Sequence, residues 1–267
     1  MITQPPTLTP RAMRPQAGRQ AWVVLGSIFA VITLAYGTIS VVQLFAFARA
    51  SERFTFTDAV TAVDVDNETG STTVIGTAGD EIVVDVKITH GFRKPDTSAE
   101  IVDGVLAMRA SCPWLLDMWC NADITLRVPR DVELRANADG GGLRIEGIDG
   151  DLEVSSSGGG VRLIDVGGDI RVRSSGGGVR GEELRSEVAD VGSSGGGVRL
   201  SFVEPPNEVD ASSSGGGVTI EVPSPYAFDI DASSSGGGVD TSDVAHDPSA
   251  DRTIRVRSSG GGVTVRY

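Results

Sequence analysis

Few side chains of the kind that do chemistry occur in this 267-residue chain. His90 and His246 are its two histidines, far apart and without a nearby cysteine, so neither a histidine-based metal site nor a histidine-activated nucleophile is expected. Cys112 and Cys120 bound the segment Ser-Cys-Pro-Trp-Leu-Leu-Asp-Met-Trp-Cys, which also carries Trp114 and Trp119. Their separation is not the two-residue spacing of a redox or metal pair, and an even cysteine count in an exported chain favours a disulfide that closes a short loop. Acidic pairs such as Asp149 and Asp151 fall at turns, where aspartate is common for its backbone hydrogen bonds, and no calcium-binding nonapeptide pattern recurs. Other carboxylates are scattered rather than gathered as the acid/base pair of a glycan-cleaving enzyme. The serine tracts lie in no nucleophile-elbow pattern. No catalytic residue, metal or cofactor is therefore assigned, and the chain is read as non-enzymatic. Arginine does align: Arg144, Arg162, Arg180 and Arg199 recur at one offset, and strands stacked about 4.8 Å apart would set them side by side. Glu146 and Glu182 follow two residues later on the same face, so the row reads as solvated ion pairs; the alternative is a stripe that binds an anion or glycan.

The elements that position these residues come from a repeat. Glycine triplets begin at Gly140, Gly158, Gly176, Gly195, Gly215, Gly236 and Gly260, at periods of 18 to 24 residues. Six and four places before each triplet the residue is apolar (Leu152 and Val154, for example), with a charged residue between them such as Glu153. That is the alternation of a strand with one buried face. Three places after the first glycine stands Leu143, Val161, Val179, Val198, Val218, Val239 or Val263, which opens a second strand. The inward positions change parity across the triplet, so the chain must bend there. Glycine suits such a corner because backbones can approach closely across it. Middle glycines such as Gly159, Gly177 and Gly196 are expected to leave no room for a Cβ, whereas Gly261, in the last repeat, should have one neighbour fewer. Two short strands and a corner per repeat predict an all-β fold, a β-solenoid or β-helix of stacked 18–24-residue repeats.

Before the repeats the composition changes. Residues 21–48 carry no charge and are rich in Val, Leu, Ile and Phe, which reads as a transmembrane α-helix contacting the lipid bilayer. A cleaved secretory signal is the alternative, since Ala48-Arg-Ala50 offers a cleavage site, but the run is longer than such a signal needs. Arg11, Arg14 and Arg19 precede the run without an acid, which places the N-terminus in the cytoplasm and the C-terminal domain outside the cell membrane as a single-pass protein. Residues 1–20 read as a disordered cytoplasmic tail, 49–54 as a juxtamembrane connector and 55–267 as an extracytoplasmic domain. Within that domain 55–135 are degenerate coils with the Cys loop, and 136–267 are the regular repeats. The chain carries a net charge of −13, with the basic excess at its start, so nucleic acid is not an expected partner. Asn67-Glu-Thr also matches an N-glycosylation acceptor, a triplet common by chance.

The phrases Asp-Gly-Asp-Leu-Glu-Val-Ser-Ser-Ser-Gly-Gly-Gly-Val-Arg-Leu (149–163) and Gly-Gly-Asp-Ile-Arg-Val-Arg-Ser-Ser-Gly-Gly-Gly-Val-Arg (167–180) resemble the bacterial "putative adhesin" repeat domain, related to the GIN-type auto-transporter adhesin head. Val63-Asp-Val-Asp-Asn-Glu-Thr-Gly is similar to that family's opening strand. The resemblance spans about residues 55–267 and implies a β-solenoid on the cell envelope with no catalytic residues. The function expected is an adhesin-like or scaffold surface that meets an envelope protein or a glycan. The competing class is an envelope sensor or regulator that signals to a membrane partner, and a carbohydrate-active β-helix enzyme is the third.

Overall fold

The computed structural model describes residues 17–45, 48–91, 93–112 and 120–267. Of the tail expected over 1–20, residues 1–16 lie outside the described residues, as do Trp114 and Trp119, while 17–20 belong to a helix. Two units separate, Met1–Phe47 and Ala48–Tyr267. The first contains the helix α1 (Ala17–Phe45). Among the described residues no helix is long and apolar enough to cross a membrane. Gly26, Ser27, Thr33, Gly37 and Thr38 interrupt its apolar run. The hydroxyls of Ser27, Thr33 and Thr38 turn back onto the carbonyls of Val23, Phe29 and Leu34. The transmembrane helix expected over 21–48 is therefore not supported. With it go the single-pass topology, the cytoplasmic N-terminus and the extracellular placement that rested on it.

The second unit is all β. It opens with β1 (Ala48–Phe56), β2 (Ala62–Asn67), β3 (Thr72–Thr77), β4 (Ile82–His90), β5 (Asp96–Val102), β6 (Val105–Ser111) and β7 (Asn121–Pro129). The expected connector 49–54 is thus part of a strand. The triplet repeats follow as strand pairs, one before and one after each corner: β8 and β9 (Glu133–Ala138, Leu143–Glu146), β10 and β11 (Leu152–Ser156, Val161–Ile164), then β12 and β13 (Ile170–Ser174, Val179–Leu184). Next come β14 and β15 (Val188–Ser193, Val198–Phe202), β16 and β17 (Glu208–Ser213, Val218–Glu221), β18 and β19 (Asp229–Ser234, Val239–Asp240), and β20 and β21 (Thr253–Ser258, Val263–Arg266). Alternation of buried and exposed residues along these strands follows the apolar/polar alternation of the sequence, as in Leu152 to Ser156.

Each repeat gives one strand to each of two sheets. The first has the order β1-β4-β7-β3-β9-β11-β13-β15-β17-β21-β19, and the second β18-β20-β16-β14-β12-β10-β8-β2-β6-β5. Repeats pair in parallel at equivalent positions, Leu134 beside Leu152 beside Ile170. The β-solenoid expected from the repeats is nevertheless corrected: these are two open, mixed sheets, not a closed solenoid. Antiparallel pairings of β1 with β4, β4 with β7 and β5 with β6 end the regular stacking on one side. Strand order also departs from chain order at both ends. β2 and β3 sit between the first repeat and β6 and β7, and β20 and β21 slot between the β16–β17 pair and the β18–β19 pair.

Charge gives the C-terminal insertion a physical reason. In chain order β18 would lie on β16, setting Asp229 beside Glu208 and Asp231 beside Asp210, like charges directly opposite. With β20 between them, Arg255 bonds Glu208 at 2.6 Å, and Arg257 lies 4.0 Å from Asp210 and 3.6 Å from Asp231. Arg266 of β21 likewise pairs with Glu221 of β17.

Inward side chains of both sheets form one core cluster, from Val63 and Val65 through Leu163 to Val265. Β-branched residues dominate it, which suits strands buried on one face. Where repeat 176–184 carries Gly181 instead of an Ile or Leu, β13 bulges and Leu184 fills the space. At the triplets the close approach is decisive. A Cβ on Gly177 would stand 2.4 Å from the backbone nitrogen of Gly160, and one on Gly196 2.4 Å from that of Gly178. Gly261 meets Gly217 at 2.5 Å and is internal, because β20 and β21 are not the end of the stack. Within the triplet repeats the left-handed residues lie at the opposite corner, where Gly147 (φ 71), Asp165 (φ 53) and Glu183 (φ 55) hold equivalent places.

Candidate functional site

Parallel register brings the four arginines together on the outer face of the first sheet. Arg144 pairs with Arg162, Arg162 with Arg180, and Arg180 with Arg199. The same row continues as threonine on both sides, to Thr73 and Thr125 through β3 and β7 and to Thr219 and Thr264 through β17 and β21. Arg144 donates to Glu146 at 2.8 Å, and Arg162 and Arg180 share Glu182 at 2.7 and 2.5 Å. Glu182 is held below the usual carboxylate range, first by Arg162 and then by Arg180. Among the described residues Arg199 has no ion-pair partner, and Glu221, whose ionised form it favours at longer range, is already bonded by Arg266. Four cations thus face two carboxylates in this row, a positive island on an acidic chain. Beside it lies a shallow depression of about 520 Å³, bordered by Arg180, Arg199, Thr219 and the corner glycines Gly178, Gly197 and Gly217.

Other charged groups are committed elsewhere. Arg130 and Arg185 close a ring with Asp149 and Asp165 across successive corners: Arg130 reaches them at 2.9 and 2.9 Å, Arg185 at 2.6 and 2.9 Å. Asp149, which Arg130 holds well ionised with Arg185 assisting against burial, is therefore neutralised by guanidinium groups rather than open to calcium. Asp151 accepts the amide of Asp169 at 3.1 Å. No cluster of three or more His, Cys, Asp or Glu residues placed to hold a metal occurs among the described residues. On the second sheet a larger groove, about 740 Å³, runs between Arg171 and Arg173 on one wall and Asp210 and Ser212 on the other. Its cations are satisfied within the protein, since Asp190 accepts from Arg173 at 2.5 Å and lies 3.8 Å from Arg171.

Cys112 and Cys120 are joined as a disulfide with their Cα atoms 6.0 Å apart. The glycosylation reading of Asn67 does not survive: the side chain is fully buried and donates to the Thr72 hydroxyl and the Ala122 carbonyl, both at 3.1 Å. In five of the serine tracts one position is buried, at Ser156, Ser174, Ser193, Ser213 and Ser258, and the equivalent Ser234 at the edge is half-buried. Ser193 accepts the amide of Gly196 at 3.1 Å and donates to the carbonyl of Gly177 in the preceding repeat at 2.9 Å, and Ser213 repeats the pattern with Gly216 and Gly196. These hydroxyls cross-link the corners.

The sequence matches no family model and no curated protein. Among solved structures it is similar to a "putative cell adhesion protein" from Clostridium sporogenes, with 12% identity, a TM-score of 0.41, and 82% of this chain and 99% of that one covered. A "putative adhesin" from Bacteroides fragilis (14%, TM-score 0.37, 81% and 97% covered) and a "putative lipid binding protein" from Parabacteroides distasonis (10%, 0.36, 81% and 97%) are similar to the same extent. These likenesses are to proteins named as adhesins or lipid binders, at low identity, and lend nothing to the GIN-type head in particular. TM-scores this low transfer no site residue to this chain.

Sequence reasoning missed the threonine flanks and the corner ring. The offset that aligned the arginines already contained Thr219 and Thr264, but Thr73 and Thr125 join the row only because β3 and β7 stack against the first repeat. Arg130, Asp165 and Arg185 stand in corners of unequal length, where no common offset relates them.

Proposed function

We propose that this is a non-enzymatic, adhesin-like binding protein whose ligand surface is the threonine-flanked arginine row of the first sheet. The ligand it suits is a polymer with closely repeated negative charge, such as an acidic glycan. One observation carries the reading: Arg144, Arg162, Arg180 and Arg199 stand in register on adjacent strands, about 4.8 Å apart, and Arg199 at one end makes no ion pair among the described residues. Like charges so close repel unless compensated, and the row provides too few carboxylates to compensate them all. Guanidinium forks bind carboxylate or sulfate oxygens two at a time, and a flat sheet keeps the donors aligned without ordering a loop. A binding rather than catalytic role also agrees with the carboxylates nearest the row and its corners, since Asp149, Glu182 and Glu221 are held ionised by arginine rather than kept protonated as a general acid would be.

Titration of the full-length protein with heparin and with polygalacturonate tests the proposal. The Arg180→Ala/Arg199→Ala variant should bind at least about tenfold more weakly, roughly 1.4 kcal/mol or more, and added salt should weaken the parent protein further. Equal affinity of the parent and the double variant, or no binding of either polymer, would sink the proposal.

A further inference from the structure

The two ends of the sheets are finished differently. On one side the parallel stacking stops at antiparallel strands, β1 in the first sheet and β5 in the second. On the other side it stops at β18 and β19, which end their sheets as ordinary members of the parallel stack. An edge of this kind presents backbone donors and acceptors on its outer side. Part of it is covered: the Phe228 amide donates to the Ala245 carbonyl and the Ile230 amide to the Nδ1 of His246 at 3.2 Å. Beyond Ile230 the edge is open. Val239 is 46% exposed, where the equivalent Val198 and Val263 are 2% and 1%. The third glycine of each corner makes the same point. A Cβ there would meet the next repeat's backbone at 2.7 Å from Gly178 and at 2.8 Å from Gly197 and Gly217, but nothing lies within 4 Å of Gly238.

Charge specifies what fits. The outward residues of the edge, Asp229, Asp231 and Asp240, are acidic. A second copy offering the same edge is repelled, and the antiparallel ends of another copy do not continue the parallel register. The strand that the molecule itself lays on β18 is β20, Thr-Ile-Arg-Val-Arg-Ser, in parallel register from Asp229 beside Thr253 to Ser234 beside Ser258, with Arg257 reaching Asp231. Both neighbours of a strand meet the same outward rows of side chains, so what suits one side of β18 suits the other. We propose that the edge from Asp231 to Asp240 receives, by parallel strand addition, an extended segment of another protein that alternates apolar residues with arginine or lysine and crosses the corner with small residues.

A fluorescent peptide copying residues 251–267 is the probe, titrated into the full-length protein. Saturable binding is expected, with no saturation for the same peptide carrying Glu in place of Arg255 and Arg257. Gly238→Val should weaken binding at least tenfold without changing the melting temperature, because its side chain points into open space in the protein but into the incoming backbone. Asp231→Lys should weaken the native peptide and accept the Glu-substituted one. Parent-like binding by Gly238→Val overturns the proposal, since it would mean that the peptide merely exchanges with the chain's own β20 and β21. Absence of saturable binding also overturns it, as does a dimer of the parent protein that Gly238→Val abolishes. Should Gly238→Val fail to fold, the charge exchange at Asp231 decides, and its failure sinks the idea.

Discussion

Ser193 is a small residue with a large structural role. Its buried hydroxyl takes one hydrogen bond from its own corner and gives one to the corner before it. Ser193→Ala leaves the Gly196 amide and the Gly177 carbonyl without that partner and should lower unfolding stability by about 1–2 kcal/mol. The same change at the neighbouring exposed Ser194 should fall within about 0.5 kcal/mol of zero. Urea melts of both variants measure this, and equal shifts would refute the cross-linking role. Glycine is equally position-dependent. Gly177→Ala forces a Cβ to 2.4 Å from backbone and should cost about 3 kcal/mol, whereas Gly238→Ala, with nothing within 4 Å, should melt with the parent. The requirement at the triplet is close approach of backbones, and within the repeats the positive φ values sit at the other corner, on Gly147, Asp165 and Glu183.

Among elements, the pair β20 and β21 is the informative one, since it holds its place against chain order. Its outward arginines separate two acidic strands, and exposed ion pairs are individually weak, about 0–1 kcal/mol. What matters is the alternative, in which acidic strands lie side by side. Arg255→Glu/Arg257→Glu should therefore destabilise the C-terminal strands by more than either pair alone suggests, roughly 2 kcal/mol at low salt, and high salt should restore much of the loss. Hydrogen exchange localised to residues 208–266 would follow it. A loss insensitive to salt would assign the insertion to packing rather than charge.

At the scale of the whole molecule, carboxylates engaged by arginine recur from Asp85 through Asp149 and Glu182 to Glu221, all held below their ordinary values. A carboxylate whose folded value is lowered contributes stability that is present above its unfolded value and disappears as pH falls through the folded one. The melting temperature should thus be flat with respect to these groups above the ordinary values of 3.8 and 4.5 and should drop steeply below them. Replacing Arg130 and Arg185 by Gln removes the cations that hold Asp149 and should blunt that acid transition. An unchanged profile in the double variant would show that the corner ring does not contribute to it.

The strand alternation, the glycine corners and the alignment of Arg144, Arg162, Arg180 and Arg199 were all determined by sequence alone, because each depends on a local period that backbone geometry converts directly into a face. Two results depended on tertiary structure. Repetition states which residues are equivalent but not which repeat lies next to which, so a closed solenoid in chain order was the natural expectation and two open, mixed sheets are what forms. The order of the end strands was decided by interactions between residues distant in the chain: Arg257 with Asp210 and Asp231, and antiparallel β4 against β7. An apolar run likewise suggested a membrane span over 21–48, yet the helix offers no stretch of sufficient length and apolarity among the described residues. The threonine extension of the arginine row and the open acidic edge exist only once those non-local choices have been made, since each is a property of neighbours that the chain does not place next to one another.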